Sequence, residues 1–526
     1  MKSYLFLIFS LSNFYAFAQH PNIIIGSKND PCEPSIAINP NNTRQLLAGA
    51  VMDNCYASND GGITWEESIL KSAYGVYGDP VIVADFKNAF YYFHLSNPPK
   101  GKGNWVDRTV CQKTLDMGKT WVVDSYSGLN NAKVQDKHWV AVNPKTNDLY
   151  KTWTEFDGYE SKIKGDSSRI LFAKSEDGGS IWSKPKRINK ISGDCLDGDN
   201  TVEGAVPCVG PNGEIYVSWA GPAGIRFDKS NDDGKTWMRE DVLVDSMPGG
   251  WAFDIAGITR ANGMPITACD VSSGKNNGTI YINWCDQRNG ETDTDVWLSK
   301  SIDGGVSWCN PIRVNDDTAG KQQFFTWMSI DQATGILWFV FYDRRNYEDA
   351  QTDVYMAMSS DGGNNFTNFK VSEKPFTPTP EKFFGDYNNL TVQNNVVRPI
   401  WTRLENKELS ILTALVDANF VMEIKNKNVS PISSIVINEK IKNKKASINF
   451  EVFVNDYYSI KVIDDDNNLV NEIAKSQFLK KGENSFVFDT KDPSLKKGIY
   501  KIYIYNKEGI KITGKQFLVN QSVSSD

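Results

Sequence analysis

Apolar and polar positions alternate in short runs along most of the chain, as in RILFAK (169–174), DVWLSK (295–300) and DVYMAM (353–358). Period two is the mark of strands with one face on a core. Each run leads into a turn rich in Asp and Gly, and a second short run follows, such as KPKRIN (184–189) or NPIRV (310–314). A strand, a tight turn and a strand predict a hairpin, with Gly where φ must be positive. Two further strands precede each hairpin, as in DPVIVADFKNAFYYFHLS (79–96) and WMSIDQATGILWFVFYD (327–343).

The turn recurs six times: SNDGGITW (58–65), TLDMGKTW (114–121), SEDGGSIW (175–182), SNDDGKTW (230–237), SIDGGVSW (301–308) and SSDGGNNF (359–366). Its carboxylates are Asp60, Asp116, Asp177, Asp232, Asp303 and Asp361, spaced 56, 61, 55, 71 and 58 residues apart. A period of this size marks a repeat architecture. Four short antiparallel strands per repeat, set radially, make the blade of a β-propeller. First strands fall near 34–39, 80–85, 139–143, 205–209, 266–271, 327–331 and 389–392, which predicts an all-β, seven-bladed ring. The seventh blade has three strands of its own, and the apolar segment NIII (22–25) is available as its fourth. Six blades with an irregular end is the competing count. Asp accepts hydrogen bonds from the backbone of its own turn, so the six carboxylates are expected to be structural.

The turn, S/T-x-D-x-G-x-x-aromatic, resembles the Asp-box, or BNR repeat, of the sialidase-like propellers, over roughly residues 22–420. Ile181 in the third copy and Phe366 in the sixth depart from it. The resemblance implies a sialidase-like propeller, a fold that carries hydrolases, lyases and non-catalytic binders alike.

The chain opens with one Lys and an apolar run ending in small residues, MKSYLFLIFSLSNFYAFAQ, which reads as a signal peptide over 1–19. The protein is therefore expected to be secreted or held at the cell surface, without a transmembrane helix and as a monomer. The propeller is expected over 20–422, a linker over 423–433 and a small C-terminal β-sandwich over 434–526, built from runs such as INFEVFV and GIYKIYIYN. DDDNN (464–468) and NKEG (506–509) read as turns. The tail resembles the C-terminal sorting domains of Bacteroidetes-type exported proteins, which implies a partner in the export or attachment machinery; it lacks their NP-containing signature, and a plain accessory sandwich is the competing reading. Net charge is −7; residues 431–526 hold 15 Lys against 12 acids, or +3, leaving −10 elsewhere. That balance excludes a nucleic-acid footprint. Eight cysteines in an exported chain suggest disulfides. Spacing alone suggests Cys32–Cys55, Cys195–Cys208, Cys269–Cys285 and Cys111–Cys309. No Cys or His spacing fits a zinc site, the acidic stretch GDCLDGDNTVEG (193–204) lacks EF-hand spacing, and neither a metal nor another cofactor is expected.

Chemistry is expected where the inner strands begin, because those ends meet at one mouth of the ring. Asp79, Glu203 and Asp386 offer the acid and the second carboxylate of glycoside cleavage. The sialidase resemblance implies a Tyr nucleophile with a Glu partner, an Asp acid and three arginines that clamp a substrate carboxylate. By type, Tyr387, Glu203, Asp79, Arg260, Arg345 and Arg403 fill those roles. The family's FRIP-type segment is absent, the first blade reading EPSIAINPNN, so these assignments rest on position and residue type. DKHW (136–139) adds His138 and Trp139 as substrate-binding candidates, and His138 as the base of a lyase. CDQRN (285–289) and YDRRN (342–346) also read as interblade ion pairs. The reading is an exported glycan-degrading hydrolase acting on an anionic sugar. The alternatives are a non-catalytic propeller that binds glycan or protein, and a polysaccharide lyase.

Overall fold

A computed structural model describes residues 20–419, 421–422, 435–440, 445–452, 456–466, 468–480, 482–489, 495, 498–505 and 511–519. The leader (1–19), the linker (423–433) and the NKEG turn lie outside the described residues. The chain divides into two compact units, residues 1–418 and 419–526.

The alternating runs of the first unit form consecutive antiparallel sheets, each wound from its first strand outward. Sheet 1 comprises Ser35–Asn39, Asn42–Ala50, Asn54–Ser58 and Glu66–Ile69. Sheet 2 follows with Gly78–Ala84, Phe90–Leu95, Thr109–Thr114 and Val123–Ser127, and sheet 3 with Val134–Val142, Leu149–Phe156, Ser168–Ser175 and Lys186–Arg187. Sheet 4 is Glu203–Val209, Ile215–Gly221, Gly224–Ser230 and Val242–Asp245. After a separate hairpin (Ala252–Ile255, Ile258–Asn262), sheet 5 uses Ile266–Cys269, Ile280–Asp286, Asp295–Ser301 and Ile312–Arg313. Sheet 6 uses Gln323–Asp331, Ile336–Asp343, Asp353–Ser359 and Thr367–Lys370. The last sheet joins Asn389–Gln393, Val396–Glu405 and Glu408–Ala414 to the N-terminal strand Asn22–Gly26, with Val416–Asp417 alongside. Each first strand contacts the first strands of the sheets before and after it, and that of the last sheet returns to Ser35–Asn39. The contacts close a ring, as in a β-propeller.

The core lies between the sheets. Trp153, Trp219, Trp284, Trp338 and Trp401 occupy second strands of successive sheets and are fully buried. The six turns pin the outer hairpins in one recurring geometry. The Ser or Thr hydroxyl donates to the Asp and accepts the N–H of the glycine four residues on, as at Ser58 to Gly62 (2.9 Å) and Ser301 to Gly305 (2.8 Å). Those glycines are left-handed, for example Gly62 at φ 91° and Gly305 at φ 83°. One carboxylate oxygen accepts the backbone N–H four residues beyond the Asp, at 2.9 Å from Thr64 and 3.0 Å from Ser307. The other oxygen accepts the side chain there, at 2.6 Å from Thr64, Thr120 and Thr236. The turn aromatic then packs on the preceding sheet: Trp237 lies 5.1 Å from Phe172 and Trp308 lies 5.1 Å from Phe227.

The cysteines correct the expected pairing, since all eight are free thiols. Cys269 sits opposite Ile280 while Cys285 sits opposite Val296, towards the other end of the same long strand. Cys111 lies in sheet 2 and Cys309 follows the turn of sheet 5. Burial pushes the thiols of Cys55, Cys111 and Cys269 up to about 12, which leaves them as small apolar fillers.

The described strands of the second unit form two antiparallel sheets. Val436–Lys440, Lys445–Val452 and Gly482–Asp489 make one; Leu469–Leu479, Asp456–Asp464, Gly498–Tyr505 and Lys511–Val519 make the other. Ile448, Phe450 and Phe488 of the first share a core with Ile460, Val462, Ile502 and Ile504 of the second. Among the described residues, no helix is long and apolar enough to cross a membrane.

Candidate functional site

The inner strands carry a device that sequence alternation does not reveal. The register slips at their leading ends, between Gly78 and Val81, Asp136 and Trp139, Glu203 and Val206, and Phe324 and Trp327. Each slip is a β-bulge holding a left-handed residue: Asp79 (φ 50°), Lys137 (φ 44°), Gly204 (φ 69°) and Phe325 (φ 49°). Glu33 (φ 50°) stands at the same place ahead of sheet 1. A bulge re-aims a side chain, and non-glycine residues held in this conformation concentrate at functional sites. Here three of the five are charged.

The re-aimed side chains converge. Lys137 Nζ donates to Asp386 (2.8 Å) and contacts Asp79 (3.3 Å). Those two carboxylate oxygens therefore lie no further apart than the two contacts laid end to end. Arg260, on the hairpin between sheets 4 and 5, donates from Nε to Asp386 Oδ1 (3.0 Å), from Nη2 to Asp386 Oδ2, and from Nη1 to Asp197 (2.6 Å). The Tyr159 hydroxyl donates to Asp197 at 2.6 Å. Glu33 accepts the Asp386 backbone N–H at 3.0 Å. Gly385 is obligatory beside it: its φ is 95°, and a Cβ there would meet Glu33 Cγ at 2.7 Å.

Burial sorts these acids by charge state. Burial alone would raise the Asp386 carboxyl, but Lys137 and Arg260 hold it well below the usual range, so it is a permanent anion. Burial lowers Lys137, and Asp386, Asp79 and Glu33 more than reverse that. Burial pushes Asp136 up to about 7, with Asp79 and Asp197 adding to the rise against Lys137. Glu33 and Glu203 are pushed well up, by burial first; Asp79 and Asp386 add to it at Glu33, and Asp197 and Asp136 at Glu203.

Above this floor opens a cavity of about 480 Å³, lined by Glu33, Asp79, Asp136, Lys137, Tyr159 and Arg260, with Tyr77, Trp105 and Phe383 at its rim. Tyr77, Trp105 and Phe383 are exposed, and Trp105 meets Tyr77 and Tyr159 edge-on at 5.1 and 5.9 Å. Below it Trp139, Trp327 and Tyr387 fill the axis, with centroids 4.4 Å apart for Trp139–Trp327 and 5.4 Å for Trp139–Tyr387.

Of the residues singled out from sequence, Asp79, Asp386 and Arg260 meet at this floor. Tyr387 lies beneath it, its hydroxyl 3.5 Å from the Pro80 carbonyl, where burial first and then Glu33 and Asp79 push its phenol well up. Glu203 is fully buried under the cavity. Arg345 is held by Asp343 (2.8 Å) and Asp316 (2.6 Å) and lies over Tyr355; Arg403 pairs with Glu405 at 2.9 Å. Neither arginine lines the cavity. Arg345 sits on the loop between the second and third strands of sheet 6, whereas Arg403 lies within the second strand of the last sheet, opposite Ser410. His138 turns into the sheet interior, where burial, Lys151 and His94 hold it well below its usual range. Trp139 belongs to the axial plug. In the sequence the DKHW stretch points to His138 and Trp139, and nothing there assigns a role to Glu33, Asp136 or Lys137. Asp197, Tyr159 and Trp105 come from irregular loops, where no repeat position marks them. Among the described residues, no three His, Cys, Asp or Glu side chains are arranged to hold a metal ion.

No family model and no curated protein matches the chain. Solved structures do. A Hadza microbial sialidase is 13% identical over 72% of this chain and 74% of its own, with a TM-score of 0.41. The Trypanosoma rangeli sialidase bound to the inhibitor DANA is 10% identical over 88% of each chain, with a TM-score of 0.40. An ulvan lyase, described as a new family of polysaccharide lyase, is 12% identical over 74% of this chain and 95% of its own, with a TM-score of 0.43. Identities this low leave the chemistry to be read from the side chains.

Proposed function

We propose that this chain is an exported glycan hydrolase, built as a seven-bladed propeller with Asp-box turns and a C-terminal sandwich that serves export or attachment. The observation that carries the reading is the unequal titration of carboxyls at the floor of an open cavity: Asp136 sits near 7 while Asp386, which shares Lys137 and Arg260 with it, stays ionised. One Asp136 oxygen accepts the Lys137 backbone N–H at 2.8 Å, which leaves the other to carry a proton to a glycosidic oxygen. Asp79, against Lys137, supplies the second carboxylate, to attack the sugar or to activate water. Two carboxyls within about 5–10 Å suit glycoside cleavage. The exposed rings of Trp105 and Tyr77 offer apolar shelves to the faces of sugar rings.

The three-arginine clamp for an anionic sugar loses its carriers. Arg345 and Arg403 are engaged elsewhere, and Arg260 is shared by Asp386 and Asp197. The charge left at the mouth is negative, so an uncharged glycan suits it better. The lyase reading loses its base with the burial of His138. The binding-only reading keeps one observation in its favour, the mutual satisfaction of Lys137, Arg260 and Asp386.

The test is turnover of a panel of aryl glycosides, including the sialoside, and of neutral and uronate polymers assayed for new reducing ends and for unsaturation. Asp136→Asn should lower turnover by about 10²–10⁴-fold, and Asp79→Asn comparably, with the melting temperature kept. A flat panel with folded protein that still retains glycans would replace hydrolysis with binding.

A further inference from the structure

A second groove lies at the outer edge of the ring, where the last strand of sheet 3 meets the turn of sheet 4. It encloses about 500 Å³ and is lined by Lys186, Arg187, Lys190, Lys235, Thr236 and Trp237, among others. We propose that this groove binds a polyanionic polysaccharide chain, at a site separate from the axial mouth.

The cations there are unlike most on this protein. Lys190 is tied down by Asp228 at 2.8 Å and Asp241 at 3.6 Å. Lys186, Arg187 and Lys235 make no ion pair among the described residues. Lys186 Nζ donates to the Lys235 carbonyl, and Arg187 donates to the carbonyls of Asn189 (2.9 Å) and Lys190 (3.2 Å). Carbonyl acceptors fix where these heads sit without cancelling their charge. Of the two acids nearest Lys235 in the chain, Asp233 pairs with Lys174 and accepts the Tyr150 hydroxyl, and Asp232 spends its oxygens on Ser230 and Thr236 within its own turn. Three positive charges outside any ion pair among the described residues thus share one concave surface on a chain of net charge −7.

The repeat supplies an internal control. The corresponding outer strand of sheet 1, Glu66–Ile69, reads EESI and is acidic. In sheet 5 the corresponding Arg313 is neutralised by Asp295 (2.6 Å) and Asp317 (3.0 Å). The cationic groove is therefore not a by-product of the fold. Like charges held together repel, and a ligand bearing repeated carboxylates or sulfates relieves that repulsion. Trp237, half-buried against Phe172, adds an aromatic ring suited to a pyranose. The acidic balance of the rest of the chain disfavours nucleic acid.

The experiment measures binding of the mature full-length protein to immobilised dextran sulfate, to polyuronate and to uncharged dextran, at low and high salt. Wild type should hold an anionic polymer, lose it as salt rises, and ignore dextran; whichever of sulfate or uronate binds tighter names the anion. The triple variant Lys186→Glu/Arg187→Glu/Lys235→Glu should bind at least tenfold more weakly. Lys87→Glu/Lys119→Glu/Lys275→Glu, the same charge change at exposed sites elsewhere, should bind as wild type. Equal loss in both triple variants, no loss in the first, equal retention of dextran, or binding of duplex DNA as tight as of dextran sulfate would each overturn the proposal. Single variants Arg187→Gln and Lys235→Gln, expected to weaken binding severalfold, stand in if the triple variant misfolds. Hydrolysis at the mouth is read separately, so loss of one reading leaves the other intact.

Discussion

Asp136 shows how one side chain can be set for acid chemistry without a metal ligand or a histidine. It stands one residue before a left-handed lysine, and that bulge brings an ammonium and two further carboxylates around it. The direction of its shift fixes two pH dependences. The protonated form is the donor, so kcat/KM should fall as pH rises through about 7 and hold below it until the partner carboxylate protonates. Stability follows the same proton. The folded state binds it more tightly than the unfolded chain does, so this group's contribution is fully present below about 4 and is lost as pH rises towards 7. Both slopes should vanish in Asp136→Asn, measured as a pH–rate profile and as melting temperature against pH. A pH–rate limb near 7 that survives in the variant would assign the acid to another group. Asp79, Arg260 and Asp386 could be found in the sequence because inner strands must begin at one mouth. The arginine roles could not, because Asp286–Arg288 and Asp343–Arg345 satisfy themselves locally, and a chain with many arginines does not say which are spare.

At the scale of the element, the six turns were the most legible part of the chain, because each of their hydrogen bonds is specified by residue type at a fixed spacing. The third copy tests that logic. Thr64, Thr120, Thr236 and Ser307 all donate a hydroxyl to the second oxygen of their Asp, at 2.5–2.6 Å. In the third turn Ile181 occupies that place, 74% exposed, and only its backbone N–H reaches Asp177, at 2.9 Å. Ile181→Thr should therefore stabilise the protein, by about 0.5 kcal/mol, since an exposed hydrogen bond to a charged group is screened by water. Thr64→Val should destabilise by a similar amount. Calorimetry on the two variants decides it: melting shifts of the same sign would mean that the hydroxyl is not what the turn uses. What alternation could not reveal were the bulges, because a slipped residue leaves the hydrophobic pattern almost intact while turning its side chain to a new face.

At the scale of the whole molecule, the first described strand completes the last sheet. Asn22, Ile23 and Ile24 face Ala414, Thr413 and Leu412, and Ile25 packs in one cluster with Ile36, Ile400 and Ile411. The Asn22 side chain also reaches the Val371 carbonyl at 2.8 Å, and its backbone N–H reaches Glu373 at 3.0 Å, so the same short segment ties sheet 6 to the closing sheet. Ring closure thus waits on contacts between residues nearly 400 positions apart, an entropically slow step that leaves the edge of Glu408–Ala414 open until it occurs. Starting the chain at Ser27 should remove that cover. The expected outcome is a lower denaturant midpoint and concentration-dependent self-association through the bared edge, read by light scattering. A synthetic peptide spanning residues 20–26 should restore the midpoint by strand addition, and a scrambled peptide should not. If the shortened chain melts as the full one does and stays monomeric, the ring is held by its inter-sheet cores alone, and the N-terminal strand is an ornament rather than its clasp.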